Sequence, residues 1–214
     1  MITTLLLIRH GFSTSNEDGT LTGQIDVPLT PLGVLQGEAA CRYILAHYRV
    51  DALYSSDLIR AKDTVCLLAD ALSLPIRTDA DFREMDCGAW SGEPIAALKE
   101  RYGAKYTAWS DADDSVIPEG GEAWSTLAAR AYAALLRTAK ANEGKTVAVA
   151  THGGTLRALR GTYLDIPMAE WRDRLTYAPN AALTLLTYDG TRFSETAIID
   201  SYLGTLKTEM PKGI

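Results

Sequence analysis

The sequence is poor in cysteine and contains no long apolar run. Its three cysteines, Cys41, Cys66 and Cys87, are odd in number and irregularly spaced. They therefore match neither a disulfide framework nor a zinc ligand set, and a reducing, cytoplasmic location is expected. No segment approaches the roughly 18 to 20 apolar residues that a membrane span needs. The N-terminal residues also lack the basic region and the small-residue cleavage site of a signal peptide.

The chain also lacks an excess of positive charge. It carries 21 Lys and Arg residues against 27 Asp and Glu residues, a formal net charge of −6. Binding to nucleic acid or to an anionic membrane depends on a basic field, so neither is expected as a partner. A protein of this composition that binds an anion must do so through a local cluster of positive groups.

What the sequence does contain is an alternation of apolar strands and amphipathic helices. The 214 residues are enough for one domain with an insertion, and we expect a single domain over 1–214. The pattern predicts an α/β fold, a three-layer αβα sandwich with a mostly parallel sheet and helices on both faces. Strands are predicted at 4–9, 51–56, 74–79, 182–188, 195–199 and within KTVAVATHGG; helices are predicted at 31–48, 57–72, 92–109, 123–142 and 155–163. The least regular stretch, about 87–125, is predicted to be a lid-like excursion over the sheet.

Two of the apolar strands end in the same dipeptide. LLLIRHGF contains His10 and Gly11, and VAVATHGG contains His152 and Gly153, while the whole chain has only three histidines. Ligands of open parallel sheets bind outside the carboxyl ends of the strands. If the two strands are neighbours, His10 and His152 face each other there, and the glycines let a ligand approach closely. A single histidine at such a position would most simply be a packing residue, but the repeated context favours a functional pair.

Arginines occur in the same context. Arg9 precedes His10, and Arg60 falls in the first turn of a helix that follows another strand. A guanidinium fork matches phosphate oxygens, and helix N-termini favour anions. These groups form the local positive cluster that an acidic protein needs, although Arg60 alone could equally be a surface ion-pair residue.

Other ligand motifs are absent or incomplete. The GKT of EGKTV lacks the earlier glycine of a P-loop and precedes a strand instead of following one. His10, His152 and Glu84 could in principle bind a metal, but no H-E-x-x-H or C-x-x-C spacing is present and the arginines would repel a cation. No metal and no cofactor is expected.

Six ordered blocks carry a family resemblance: LIRHGFSTSN, GQIDVPLTPLGVLQGEAA, LYSSDLIRAKDT, REMDCGAWSGE, PEGGEAW and VATHGG. Together they resemble the histidine phosphatase family, which includes the cofactor-dependent phosphoglycerate mutases. The resemblance covers nearly the whole chain and implies the phosphoglycerate mutase-like fold.

The resemblance also implies roles for particular residues. His10 would be the nucleophile that is transiently phosphorylated, and Glu84 the proton donor that later becomes the base. The alternative for Glu84 is an ordinary ion pair with Arg83 or another surface cation. The remaining site residues implied are Arg9, Arg60 and His152 for the phosphate pocket, Asn16 as a further phosphate donor, and Thr22, Gly23 and Gly153 as substrate contacts.

Within the family, the sequence favours the phosphatase branch. Gly154 follows the second His-Gly where mutases often carry Asn, and Phe12 is an unusual apolar residue after the first. The excursion contains three basic residues against seven acidic ones, and this negative net charge disfavours the binding of a second phosphate. The expected function is hydrolysis of a small phosphorylated metabolite. A phosphoglycerate mutase and a non-catalytic phosphate-binding module are the alternatives, and neither the substrate nor the oligomeric state (a homodimer is one option) is specified.

Several other residues allow two interpretations. Cys87, close to Glu84, is either an oxidation-sensitive thiol or a small buried one, with the second preferred. Trp90, Trp109 and Trp124 either line the substrate pocket or pack in the core. His47 is expected to be structural, on a helix packed against the sheet.

Overall fold

The computed structural model describes residues 1–208 and shows one six-stranded sheet with helices on both sides. The strand order is β3-β2-β4-β1-β5-β6. The strands are β1 (Thr3–Arg9), β2 (Ala52–Ser55), β3 (Ile76–Thr78), β4 (Thr146–Thr151), β5 (Leu183–Tyr188) and β6 (Phe193–Ile199). The helices are α1 (Thr14–Asp18), α2 (Pro31–His47), α3 (Ile59–Leu72), α4 (Ile95–Tyr102), α5 (Ala104–Ser110), α6 (Trp124–Ala141), α7 (Gly153–Tyr163) and α8 (Trp171–Arg174). Short 3-10 helices occupy Ala80–Phe82, Gly88–Trp90, Met168–Glu170 and Ser201–Leu206.

The predicted three-layer α/β fold is confirmed. Strands β3, β2, β4 and β1 are parallel to one another, whereas β5 and β6 pair antiparallel at one side of the sheet. Alternate residues of β1 face opposite layers because successive strand side chains point to opposite faces. Leu5 and Leu7 pack with α6 and α7, while Leu6 and Ile8 pack with α2 and α3.

The sheet register places the two histidines side by side. Parallel pairing of β1 with β4 puts Arg9 opposite Thr151, so His10 and His152 leave adjacent strands at the same edge. The His10 amide still donates to the Thr151 carbonyl at 2.9 Å. The expected juxtaposition of the two His-Gly strand ends is therefore present.

The first turn of α2 holds the loop that follows His10. Thr30 caps the helix by accepting from the Gly33 amide at 3.1 Å, and Pro31 occupies the first helical position. A Cβ atom at Gly33 would lie 2.0 Å from the Phe12 carbonyl oxygen, and one at Gly11 would lie 2.3 Å from the Gly33 carbonyl oxygen. Two glycines thus allow the backbone approach that fixes the loop carrying the site.

The stretch predicted as an excursion is itself packed. The single helix expected at 92–109 is divided into α4 and α5 at Gly103, whose φ is +49°. The ring of Trp109 contacts that of Trp90 edge to face and that of Trp124 at a tilt, within an apolar cluster that also includes residues of α6 and α7. No helix in the described part of the chain is both long and apolar enough to cross a membrane.

Some local expectations were wrong. α3 begins at Ile59 rather than at 57, because the carboxylate of Asp57 binds Arg83 instead of the helix. α7 begins at Gly153 rather than Thr155. The helix that carries His47 packs against the sheet as expected, through Cys41 and Ile44, while His47 itself is exposed and stacks on Tyr43 with ring centroids 4.1 Å apart.

Candidate active site

A cavity of about 180 Å³ opens at the carboxyl edge of the parallel strands. Eight of the nine predicted site residues line it, and the ninth, His152, lies next to His10. The eight are Arg9, His10, Asn16, Thr22, Gly23, Arg60, Glu84 and Gly153. The sequence blocks that carry these residues therefore converge on one cavity.

His10 is held in one orientation by the backbone. Its Nδ1 atom lies 2.7 Å from the Gly11 carbonyl oxygen. A carbonyl only accepts, so we assign the proton to Nδ1, which leaves the lone pair on Nε2. Burial, followed by the charges of Arg60 and Arg9, holds the pKa of His10 well below its ordinary value of 6.5. The imidazole is therefore neutral near pH 7.

His152 is completely buried against His10. The two ring centroids are 5.2 Å apart with an interplanar angle of 56°. Burial, then Arg60 and His10, holds the pKa of His152 well below 6.5. Neither ring nitrogen has a hydrogen-bond partner among residues 1–208. An unsatisfied buried polar group lowers the free energy of unfolding by about 1–3 kcal/mol, so this ring destabilises the fold.

The two arginines are fixed by carbonyl groups from separate loops. Arg60 donates to the carbonyls of Gly23 at 2.9 Å and Ile25 at 2.8 Å. Arg9 donates to the Ala178 carbonyl at 2.7 Å. Burial lowers the pKa of both guanidiniums, but the ordinary pKa of arginine is so high that both remain charged. A Cβ atom on Gly153 would lie 3.1 Å from Cζ of Arg9, so this glycine makes room for the guanidinium.

Glu84 lies on the N-terminus of α7. Its Oε1 accepts from the amides of Met85 and Thr155, and its Oε2 accepts from the Gly154 amide, each at 3.0 Å. A Cβ atom on Gly154 would lie 2.5 Å from Oε1, so only glycine allows this approach. Arg83 instead forms a two-point ion pair with Asp57. The alternative of an ion pair between Glu84 and Arg83 is thus absent.

Arg130 on α6 holds the backbone of the segment that carries Glu84. Its guanidinium donates to the carbonyls of Asp81, Arg83 and Glu84 at 2.8–2.9 Å. Glu122 pairs with it at two points, and the same carboxylate accepts from the Asp86 amide. Arg130 was not identified from the sequence, because a helical arginine carries no local sign of three distant carbonyl partners.

Two asparagines organise the other side of the cavity. The Oδ1 atom of Asn16 accepts from the Ser13 amide, the Ser13 hydroxyl and Nδ2 of Asn180, each at 3.1 Å. Since its oxygen is occupied, Asn16 can offer its amide N–H groups to a ligand. Asn180 is buried and also donates to the His10 carbonyl at 3.1 Å. It was not identified from the sequence because it lies 170 residues from its partner.

The structure also distinguishes between the two interpretations of the tryptophans and of Cys87. Trp109 and Trp124 line the cavity, whereas Trp90 is a core residue that does not. Cys87 lines the cavity but is almost fully buried, and burial raises the pKa of its thiol well above 9.0. It is therefore a neutral thiol, not an activated thiolate. No group of three His, Cys, Asp or Glu residues suited to a metal occurs within residues 1–208.

The buried histidines predict a pH-dependent stability. Their pKa values in the folded state lie well below 6.5, so the unfolded chain binds more protons below that pH and stability falls as the pH falls. From pH 7.5 to 5.5 we expect the free energy of unfolding of the ligand-free protein to drop by about 2–3 kcal/mol, about 1.4 from each histidine. Urea denaturation at the two pH values measures this difference. His152→Gln should roughly halve this difference; equal stability at both pH values would contradict the assignment.

Comparison with known proteins agrees with this geometry. The family model described as histidine phosphatase superfamily (branch 1) matches residues 5–201. A metal-independent phosphoserine phosphatase of Arabidopsis thaliana is 37% identical over 179 residues, which cover 83% of this chain and 74% of the relative. A glucosyl-3-phosphoglycerate phosphatase of Mycobacterium tuberculosis is 32% identical over 175 residues, 78% of each chain.

A solved structure shows the same fold. The mycobacterial glucosyl-3-phosphoglycerate phosphatase in complex with VO3 superposes with a TM-score of 0.82 at 31% identity, covering 91% of this chain and 97% of the other. The family model, the relatives and the fold agree. The chain is a small-molecule phosphatase and belongs to the histidine phosphatase superfamily, branch 1.

Proposed function

We propose that this protein hydrolyses small phosphomonoesters through a phosphohistidine on His10, with Glu84 moving the protons. The observation that carries the proposal is the convergence of His10, Arg9, Arg60 and Glu84 on one cavity, with the His152 ring 5.2 Å from that of the nucleophile. Two guanidiniums match a phosphate dianion in charge and in geometry. A pure binding module needs neither a neutral imidazole with an unoccupied Nε2 nor a carboxyl group beside it.

In the first step, Nε2 of His10 attacks phosphorus and the bond from phosphorus to the ester oxygen breaks. The departing alkoxide takes a proton from the Glu84 carboxyl group. Arg9, Arg60, His152 and the amide of Asn16 stabilise the charge that spreads over the phosphoryl oxygens during transfer. Thr22, Gly23 and Gly153 contact the substrate.

In the second step, water replaces the alcohol. Glu84, now a carboxylate, takes a proton from water while the water oxygen attacks phosphorus and the phosphorus–nitrogen bond breaks. Oε1 of Glu84 already accepts two backbone N–H groups, whereas Oε2 accepts one. Since each carboxylate oxygen can accept about two hydrogen bonds, Oε2 is the atom that exchanges protons.

The charge distribution supports hydrolysis over phosphoryl transfer to a second substrate hydroxyl. None of the three bases of the excursion, Lys99, Arg101 and Lys105, is among the cavity-lining residues. Arg101 is instead ion-paired with Glu93, and Lys99 lies over the ring of Tyr106. None of the excursion's own cations is therefore placed to bind a second phosphate in this cavity.

The cavity is small, and its walls come from several parts of one chain. A volume of about 180 Å³ is below the roughly 300–1,000 Å³ typical of drug-sized sites. A small phosphorylated metabolite fits this space, and the relatives named for phosphoserine and for glucosyl-3-phosphoglycerate suggest the first substrates to assay.

The region predicted as an excursion, 87–125, contributes to the cavity wall. Cys87, Ile95 and Trp109 of this region and Met85 at its border line the cavity. This supports a single domain in which that region covers the site. The three free thiols support a reducing, cytoplasmic location.

The test is a substrate panel assayed for both hydrolysis and isomerisation. The panel contains p-nitrophenyl phosphate, phosphoserine, 3-phosphoglycerate and a sugar phosphate. We expect inorganic phosphate to be released, and the rate to survive a chelator because the proposed machinery uses no metal. Isomerisation of 3-phosphoglycerate without release would indicate a mutase, and phosphate binding without either reaction would indicate a binding module.

A further inference from the structure

A third buried arginine lies beside the cavity and takes no part in the proposed phosphate chemistry. Arg9, Arg60 and Arg157 are the arginines of the described chain that are almost completely buried, and Arg157 is 3% exposed. Arg157 lies on α7, one turn beyond Gly153. The more accessible Arg130 and Arg160 each pair with a glutamate, but Arg157 has no carboxylate partner among residues 1–208.

The environment of Arg157 compensates its charge only in part. The guanidinium carbon lies 5.2 Å from the ring centroids of both Trp124 and Tyr177. Nη1 donates to the Ser110 carbonyl at 2.6 Å and to the Tyr177 hydroxyl at 3.3 Å, while Nε has no partner within the described residues. Burying a charged group without a counter-ion is unfavourable, and cation–π contacts offset only part of that cost.

The groups that surround Arg157 face the cavity. Ser110, Trp124 and Tyr177 all line it, on the wall that also includes Trp109. The Tyr177 hydroxyl accepts from Arg157, and no acceptor for its own proton occurs within residues 1–208. Burial raises the pKa of this hydroxyl, so it keeps its proton and can donate it. The arginine thus polarises a hydroxyl donor on a residue that lines the cavity.

We propose that Tyr177, polarised by Arg157, forms a second anion-binding point in the cavity, which holds a carboxylate on the alcohol half of the substrate. The inference rests on the proposed function, and it narrows the substrates to phosphomonoesters of small hydroxy acids. One end of such a molecule binds Arg9 and Arg60, and the other binds the Tyr177 hydroxyl in the field of Arg157. A hydrogen bond to a charged group is among the stronger ones in proteins, so this contact discriminates between substrates.

The test compares substrates that differ only at the carboxylate. O-Phosphoserine is paired with O-phosphoethanolamine, 3-phosphoglycerate with glycerol 3-phosphate, and p-nitrophenyl phosphate serves as a reference. We expect the wild-type kcat/KM to favour the carboxylate member of each pair by about ten- to a hundredfold, in line with one charged hydrogen bond. Tyr177→Phe should remove most of that preference while changing hydrolysis of p-nitrophenyl phosphate by less than about threefold.

Two further variants distinguish loss of the contact between Tyr177 and the substrate carboxylate from a general disturbance of the structure. Tyr106→Phe removes a buried hydroxyl that has no partner in the described structure and does not line the cavity, so the preference should be unchanged. Arg157→Lys keeps the charge but loses the planar fork, and the preference should fall as in Tyr177→Phe. Equal wild-type rates within each pair, or a preference that survives both Tyr177→Phe and Arg157→Lys, overturns the inference but leaves the phosphatase intact. Absence of phosphate release from every ester overturns both.

Discussion

Replacing His10 by alanine is expected to abolish phosphatase turnover while leaving phosphate binding largely intact. Loss of a covalent nucleophile reduces kcat by up to about 10⁶-fold in well-studied enzymes, and we expect at least about 10³-fold here. The phosphate pocket keeps Arg9, Arg60 and Asn16, which hold their positions through carbonyl and amide contacts that do not involve the His10 side chain. Chemistry and anion binding should therefore separate in this variant.

Three measurements check this result. Steady-state phosphate release gives kcat, and titration with vanadate or inorganic phosphate gives the affinity of the pocket. Quenching the wild type with alkaline detergent after mixing with labelled substrate should trap a phosphoramidate that is stable in alkali and labile in acid, and His10→Ala should yield none. His47→Ala is the matched control, because that histidine is exposed and lies on α2, outside the cavity. Turnover within tenfold of wild type in His10→Ala would exclude His10 as the nucleophile.

Replacing Glu84 by glutamine is expected to slow different steps in the hydrolysis of alkyl phosphates and of aryl phosphates. An alkoxide needs a proton to depart, so loss of the acid should reduce kcat for alkyl phosphates by about 10²–10⁴-fold. p-Nitrophenolate departs without protonation, so phosphorylation of His10 from that ester should stay fast. The second step still lacks its base. A rapid burst of p-nitrophenolate, equal to the enzyme concentration and followed by slow turnover, is therefore expected with this ester.

Rapid-mixing kinetics with both substrate types measure this pattern. The glutamine amide cannot accept from the Gly154 amide at the nitrogen that replaces Oε2, so one hydrogen bond worth about 1 kcal/mol is lost. A melting curve of the variant therefore accompanies the kinetics. Glu93→Gln removes a half-buried carboxylate that pairs with Arg101 outside the cavity and should behave as wild type. Full turnover of alkyl phosphates by Glu84→Gln would rule out the proposed acid–base role.

Local sequence patterns were sufficient to predict the fold layers and most of the elements. Thr30 and Pro31 mark the beginning of α2, and the apolar runs before His10 and His152 mark two adjacent strands. These features depend on capping, periodicity and burial over a few residues, which the sequence displays directly. The boundaries that failed, at Asp57 and at Gly103, depend on a distant partner or on a backbone bend inside a helical pattern.

The sequence by itself determined the identities of the residues now found around the cavity, because the family's motif blocks carry them in order. The tertiary structure alone decided what holds those residues in place: Arg130 under the backbone of Glu84, Asn180 beneath Asn16 and His10, and Arg157 behind Tyr177. These contacts join groups that lie between 20 and 170 residues apart. Their strength comes from burial and from the angle at which separate elements meet, and neither property is written in a local stretch of amino acids.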